Sequence, residues 1–266
     1  MGKYVLKRII YALITILVLL ALTFIMMHML PGDPFSTGKA MSESTKQALR
    51  EFYGLDKPLV EQFIIYIQNA ITGDLGISIK YNRPVIDIIM ESFPVSFQLG
   101  MFSLIFAVIA GIALGAIAAI RRGKTADTVA MTLSVIGVSI PNFIVAAIFQ
   151  YFLALKLNQL LGTQIFAITG WGNLNQIILP ALALSFSSLA TVSRLMRTSM
   201  LDVLSSDYIK TAKAKGLSER QILWKHALRN AIMPVITVLG PIAAAVLTRG
   251  FVVENVFSIP GMGKFF

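Results

Sequence analysis

Long apolar runs alternate with polar segments along the chain. A helix of about 20 apolar residues crosses the roughly 30 Å hydrocarbon layer of a membrane. The sequence therefore predicts an all-α polytopic membrane protein, a bundle of five transmembrane helices. These five runs cover residues 9–29, 95–120, 128–155, 177–196 and 232–253.

The segment between the first two runs, residues 31–94, is longer than a simple connection needs. From Leu59 its apolar residues keep helical spacing until Gly73, and a further amphipathic helix is expected over 84–93. The pattern predicts a small helical extracytoplasmic insertion. The expected organisation is 1–30 for the N-terminus and first span, 31–94 for the insertion and 95–266 for the core membrane domain, with a loop at 197–230.

Composition supports a membrane location, because 56% of the residues are hydrophobic and only 14% are charged. The chain has no cysteine, which excludes disulfides, thiolate metal sites and a cysteine nucleophile. The spans also lack a clustered set of metal ligands. No metal and no cofactor is therefore expected.

Basic residues are concentrated in three places: before the first span, in the loop near 121–124, and between Arg194 and Arg229, where there are eight. Short basic loops face the cytoplasm. The N-terminus and the 197–230 loop are thus predicted to be inside. The net charge of +10 then reflects topology and contact with the lipid bilayer, and no nucleic-acid partner is expected.

The 197–230 loop has the pattern of two helices separated by a glycine. Ser205 or Ser206 can cap the first helix, and Gly216 can end it in the left-handed conformation. Ser218 with Gln221 forms a potential capping box for the second helix, which leads to the last span near Pro234.

Several features inside the spans bear on packing and transport. Gly111 and Gly115 form a small-residue strip that permits close helix packing. Pro141 interrupts the third span beside Asn142, and the fourth span is rich in hydroxyls. Such polar groups line a water-filled path or bond between helices, and both readings remain open. Three residues are candidates for lining the pathway: Asn142, Ser185 and Ser188.

Motifs for catalysis or ion coupling are absent. The run 118–125 ends like a phosphate-binding loop, but Ala118 replaces the required first glycine. The run is interpreted as a basic turn, and the chain is expected not to hydrolyse nucleotide itself. No Asp or Glu lies inside a predicted span, which argues against ion-coupled transport. Arg249, five residues from Glu254 and close to the outer surface, is expected to snorkel or form a pair rather than to carry substrate.

The glycine-centred loop resembles the EAA loop of ABC-type importer permeases. Lys210-Thr211-Ala212 stands where that family has Glu-Ala-Ala, six residues before the glycine. The departures are similar to those of the peptide and nickel branch. Further motifs resemble the B-type permease of oligopeptide and dipeptide importers: Pro31-Gly-Asp-Pro34, Gly54-Leu-Asp-Lys-Pro58, Gly73-Asp-Leu-Gly-Ile-Ser78 and Phe257-Ser-Ile-Pro-Gly-Met-Gly263.

The resemblance implies a cytoplasmic-membrane complex of a prokaryote, with a second permease subunit, two cytoplasmic ATPase subunits and an extracytoplasmic substrate-binding protein. It also implies six spans, so that a further helix is expected beyond the five. The insertion would help to dock the binding protein. Small side chains at Ala212 and Ala214 would permit close docking of an ATPase. The residues implied in this coupling are Asp207, Tyr208, Lys210, Thr211, Ala212, Ala214, Gly216 and Leu217.

Peptides are the expected substrate, although nickel and glutathione importers of the same branch have similar permeases. A function from another class also remains open: a channel or membrane scaffold whose basic loop holds a partner.

Overall fold

The computed structural model describes residues 2–30, 47, 54–78 and 80–266, and helices dominate these residues. The motif at residues 31–34 and most of the first half of the insertion lie outside this part. Within it, the predicted all-α membrane architecture is confirmed. Five helices are long and apolar enough to cross a membrane: Gly2–Met29, Val85–Ile120, Asn142–Leu161, Leu174–Ser205 and Met233–Val256.

The chain divides into two compact units, residues 1–88 and 89–266. The first contains α1 (Gly2–Met29) and α2 (Leu59–Thr72). Gly73, with φ +83°, ends α2 as predicted. The aromatic rings of Phe24 and Phe63 lie 5.3 Å apart, and His28 Nε2 hydrogen-bonds Gln62 Oε1 at 3.0 Å. These contacts join α1 to α2.

A short antiparallel hairpin follows, with β1 (Ile77–Ser78) paired to β2 (Arg83–Pro84). The sequence pattern did not predict it. The chain then enters α3 (Val85–Ile120), which contains Pro94. The predicted helix over 84–93 and the second span are therefore one helix. Pro94 lacks only its own N–H donor, and the helix continues through it despite the usual disruptive effect of proline.

The predicted interruption of the third span is confirmed. Helix α4 (Thr125–Ser139) ends at Ile140, and α5 (Asn142–Phe149) begins after Pro141. Proline disfavours the helical conformation of the residue before it, and Ile140 is extended, with ψ 127°. The crossing continues through a π-helical stretch, Gln150–Lys156, into α6 (Leu157–Leu161).

Helix α7 (Leu174–Ser205) is the central helix of the second unit. Both α4 and α5 run antiparallel to α7. Gly137 lies against Ala190, and farther along the chain Asn142 Nδ2 donates to Leu184 O at 3.2 Å, nearer the start of α7. The two segments thus form one broken crossing antiparallel to α7.

The small-residue strip of α3 also packs against α7. A Cβ on Gly111 would lie 2.8 Å from Val192 Cβ, and one on Gly115 would lie 2.7 Å from Met196 Cβ. Only glycine permits this approach, so the predicted close packing is confirmed. The remaining elements of this unit are α8 (Asp207–Ala214), α9 (Glu219–Gln221), a π-helical turn (Ile222–Ala227), α10 (Leu228–Ala231), α11 (Met233–Val256) and a 3₁₀ turn (Met262–Phe265).

Candidate functional site

Residues 207–231, here called the knob, form the helix-glycine-helix unit between α7 and α11. Helix α8 ends as the sequence predicts, since Gly216 has φ +78°. Leu217 N donates to Ala212 O at 3.3 Å and Gly216 N donates to Lys213 O at 2.9 Å. This pair of bonds is a Schellman motif, which satisfies carbonyls at the helix end and reverses the chain.

The two predicted helix starts differ in outcome. Ser206 occupies the N-cap position of α8, but its hydroxyl donates to Val203 O at 2.6 Å and makes no cap bond. At the second helix the predicted box is confirmed. Ser218 N donates to Gln221 Oε1 at 3.1 Å, and Gln221 N donates to Ser218 Oγ at 3.4 Å.

An apolar core holds the knob together and joins it to the long helices. Ala212, proposed from its small size to contact an ATPase, is only 7% exposed and packs inside the knob. Its side chain therefore belongs to the interior of the knob, and its part in coupling to an ATPase stays a prediction. Asn230 Nδ2 also donates to the Tyr208 hydroxyl at 3.0 Å, linking α8 to α10. The buried side chains of this core are Ala119, Val192, Met196, Met200, Ile209, Ala212, Ile222, Ala227, Ala231 and Val235.

The opposite face of α8 is open and mainly basic. Tyr208 is 43% exposed, and Leu217 is half-buried against the knob core. Lys210 Nζ pairs with Asp207 Oδ1 at 2.9 Å, an exposed pair that contributes little to stability. The remaining predicted coupling residues on this surface, Thr211, Ala214 and Gly216, are exposed.

A buried ion pair anchors the base of α7, and sequence reasoning missed it. Arg197 Nη2 donates to Asp127 Oδ2 at 2.7 Å, and Gly123 N donates to the same oxygen at 3.0 Å. Asp127 is 5% exposed. The pair fixes the first turn of α4 to α7. No local pattern signals it, because 70 residues separate the partners.

Two of the three candidate pathway residues, Ser185 and Ser188, lie on α7, and they differ in exposure. Ser185 is 1% exposed, and its hydroxyl donates to Leu182 O at 2.7 Å within an apolar environment. Its own helix therefore satisfies the hydroxyl, and its place on the pathway stays a prediction. Ser188 instead lines an open groove of about 430 Å³ between α7 and α11.

A neighbouring groove of about 510 Å³ contains Asn142 and shares Ser187 and Arg249 with the first. We call the two together the polar groove. Asn142 and Ser188 are thus brought to one side of the unit. The polar and charged residues of this groove are Ser139, Asn142, Ser187, Ser188, Thr191, Arg194, Thr198, Thr248 and Arg249.

At the far end of α11, residues 257–266 fold back and are held by hydrogen bonds. Glu254 is 1% exposed, and its Oε2 accepts from Gly263 N at 2.7 Å. Met262 N donates to Ser96 Oγ at 2.8 Å. The Glu254 carboxylate is therefore directed to this backbone and not to Arg249.

Comparison with known proteins agrees with this architecture. Residues 111–266 match the family described as binding-protein-dependent transport system inner membrane component. Residues 1–100 match the N-terminal family of the same membrane components. The two matches together extend over both units of the chain.

Individual relatives align with the full chain. A dipeptide transport system permease protein of Bacillus subtilis is 46% identical over 267 residues, which cover 100% of this chain and 85% of the relative. A second dipeptide permease, from Lactococcus lactis, is 43% identical, covering 100% and 86%. An oligopeptide transport system permease protein of Haemophilus influenzae is 39% identical with the same coverages. The chain therefore belongs to the inner membrane components of binding-protein-dependent transport systems, as a multi-pass transport subunit that works with other ABC transporter components.

Proposed function

We propose that this chain is a permease subunit of an ATP-driven peptide importer and forms, with a second permease, the path across the cytoplasmic membrane. The names of its relatives, which are dipeptide and oligopeptide permeases at 36–46% identity, support the substrate class. Two cytoplasmic ATPases supply the energy, and an extracytoplasmic protein delivers the peptide.

The knob is the proposed site of contact with an ATPase. The observation that carries this proposal is the division of α8 into two faces. Ile209 and Ala212 are buried in the core that joins the knob to α7 and α11, whereas Tyr208, Lys210 and Ala214 are exposed. A partner that moves the exposed face must therefore move the start of α11 with it. ATP-driven closure of the motor would tilt α11 beside the polar groove.

The first test reverses one charge on this face. Lys210→Glu keeps a solvated side chain, so folding is expected to be unaffected. The loss of one complementary contact should weaken ATPase binding about tenfold, or about 1.4 kcal/mol. Co-purification of the ATPase measures its binding, and uptake of radiolabelled peptide measures transport. Radioactive nickel serves as the competing substrate.

Lys124→Glu, in the exposed turn after α3, is the matched control. It should leave both readouts unchanged. Equal losses in the two variants would contradict specific docking by α8. Uptake of nickel in place of peptide would reject the proposed substrate.

The second test concerns orientation, with the N-terminus and the knob proposed to be cytoplasmic. The chain has no native cysteine, so single introduced cysteines report without background. Ser218→Cys in the knob and Thr163→Cys, exposed between α6 and α7, should react with an impermeant thiol reagent from opposite sides. Reaction of both from the same side would overturn the topology.

The insertion is proposed to help dock the loaded binding protein. The exposed pair of Lys57, just before α2, with Glu61, in its first turn, lies within it, with Lys57 Nζ 3.1 Å from Glu61 Oε1. Neutralising both residues should leave expression normal and reduce stimulation of the ATPase by the loaded binding protein. Undiminished stimulation would count against this role.

A further inference from the structure

The polar groove contains two arginines and a row of hydroxyls that face open space. We propose that this groove holds the transported peptide, and that Arg249 attracts the peptide's C-terminal carboxylate. The inference rests on the proposed peptide-import function and assigns the binding role to particular residues.

One face of each helix forms the groove. On α7 the spacing from Ser187 to Ser188, Thr191, Arg194 and Thr198 follows a helical stripe. On α11, positions 238, 241, 242, 245 and 249 form the opposing stripe. The α11 stripe is apolar except at Arg249. The groove therefore has a hydroxyl-rich wall on α7 and a mainly apolar wall on α11.

The location of Arg249 requires a polar neighbour. It lies seven residues before the end of α11, or about 10 Å along the axis. A guanidinium inside an apolar helix is costly unless it meets water, an anion or a partner. Among the residues that the structure describes, Arg249 has no ion-pair partner, and the nearby Glu254 is bonded to Gly263 N. Arg249 is exposed to the groove.

Arg194 provides a second cation, on the opposite wall formed by α7. It is seven residues from Ser187, a separation of about 10 Å. Arg197, one turn away, is neutralised by Asp127, whereas Arg194 has no ion pair within the described ranges. The groove thus offers an anion-attracting group near each end of a hydroxyl-lined stretch.

These dimensions and groups fit a short extended peptide. An extended chain advances about 3.3–3.6 Å per residue, so about three residues span the roughly 10 Å from Ser187, which lines both parts of the groove, to Arg194. Guanidinium binds a carboxylate through two parallel hydrogen bonds. Thr191 and Thr198 donate their hydroxyl protons to carbonyls of α7 and so offer a peptide only acceptors, whereas the Ser187 and Ser188 hydroxyls, which have no bond within the described residues, can both donate and accept. These hydroxyls can bond peptide groups regardless of the peptide's side chains. The wall would therefore accept peptides of different sequence.

Two other anions could neutralise Arg249: an acidic residue of the second permease, or a lipid phosphate. A partner residue would make Arg249 necessary for assembly. A lipid phosphate would make it insensitive to the chemistry of the peptide terminus. Both alternatives therefore give results different from those of a carboxylate-binding role.

The test uses the complete importer in liposomes, with cysteine-free partner subunits. Arg249→Cys should assemble normally and lower the initial uptake of a tripeptide about tenfold, the effect of losing one charge-assisted contact. A cationic thiol reagent should restore uptake, whereas an anionic reagent of similar size should not. Arg121→Cys, in the exposed turn after α3, should respond to neither reagent.

Peptide chemistry completes the test. The wild-type importer and Arg249→Gln are each given the tripeptide as free acid and as C-terminal amide. If the Arg249 guanidinium and the peptide carboxylate interact, removing both lowers uptake by less than the product of the two separate fold-losses. Independent losses, a fall in assembly with Arg249→Cys, or equal rescue by both reagents would overturn the inference. Failure of the wild-type importer to carry the peptide would instead reject the proposed function.

Discussion

Helix α11 has two ends that are held in different ways. At Met233 it joins the knob, whose buried core is built from apolar side chains and whose opposite face is open. At Val256 it joins residues 257–266, which are held by hydrogen bonds between the side chains of Glu254 and Asn255 and the backbone of Gly263, and by the close approach of Gly263 to the backbone of Phe251. One end presents a surface, and the other is enclosed by its own chain.

This difference fits a helix that transmits motion. Backbone-to-backbone contacts cannot adjust by rotating a side chain, so the 257–266 end is expected to be rigid. The knob is held together by its own apolar core, but its exposed basic face is not packed against the rest of the chain. The contrast predicts that substitutions near 263 will affect folding, whereas substitutions on the knob will affect association with a partner.

The largest effect is expected for Gly263→Ala. An added Cβ would clash with the carbonyl oxygen of Phe251 and lie 2.8 Å from Phe251 Cα. Because these are backbone atoms, overpacking should cost about 3 kcal/mol, the upper part of the usual range. A lower melting temperature of the purified protein in detergent would show it.

Gly240→Ala, a substitution within α11, provides the control for Gly263→Ala. A Cβ there meets nothing within 4 Å, and alanine favours helix by about 1 kcal/mol over glycine. Its melting temperature should be unchanged or higher. If Gly263→Ala melts like Gly240→Ala, the rigid end does not exist as described.

Gly216→Val should have an intermediate effect and a different consequence. A Cβ at Gly216 meets nothing within 4 Å, so the cost arises only from φ +78° and is about 1–3 kcal/mol. We expect normal membrane insertion but loss of ATPase association and of peptide uptake. Gly216→Asn, which tolerates the left-handed conformation, should retain most of both. Unchanged uptake by the valine variant would argue strongly against coupling through the knob.

The smallest effect is expected at the capping box. Ser218→Ala removes the side-chain acceptor of Gln221 N and should destabilise the second helix of the knob by about 1 kcal/mol. Faster hydrogen exchange in residues 219–227 would report it. Ser205→Ala is the control, since the exposed Ser205 hydroxyl only donates to Asp202 O within the preceding helix. Similar exchange in both variants would show that the box contributes nothing.

Local rules explain which parts of the molecule could be predicted. The membrane helices follow from apolar length, and the turn at Gly216 and the box at Ser218 follow from short-range chemistry. Proline was a less reliable signal for the end of a helix. Pro141 interrupts its membrane crossing as expected, but α3 continues through Pro94. Helix starts also differ, because Ser206 bonds backward to Val203 while Ser218 makes its cap.

By itself the sequence determined the helical membrane class, the helix-glycine-helix knob and the resemblance to importer permeases, because each depends on residues close together in the chain. Only the tertiary structure decided that Ala212 and Ser185 are buried and that Asn142 and Ser188 share a groove with Arg249. The Asp127–Arg197 and Glu254–Gly263 contacts likewise depend on how helices and turns meet. Helical spacing leaves the choice of buried face open until neighbouring helices pack, and packing joins residues that are distant in sequence.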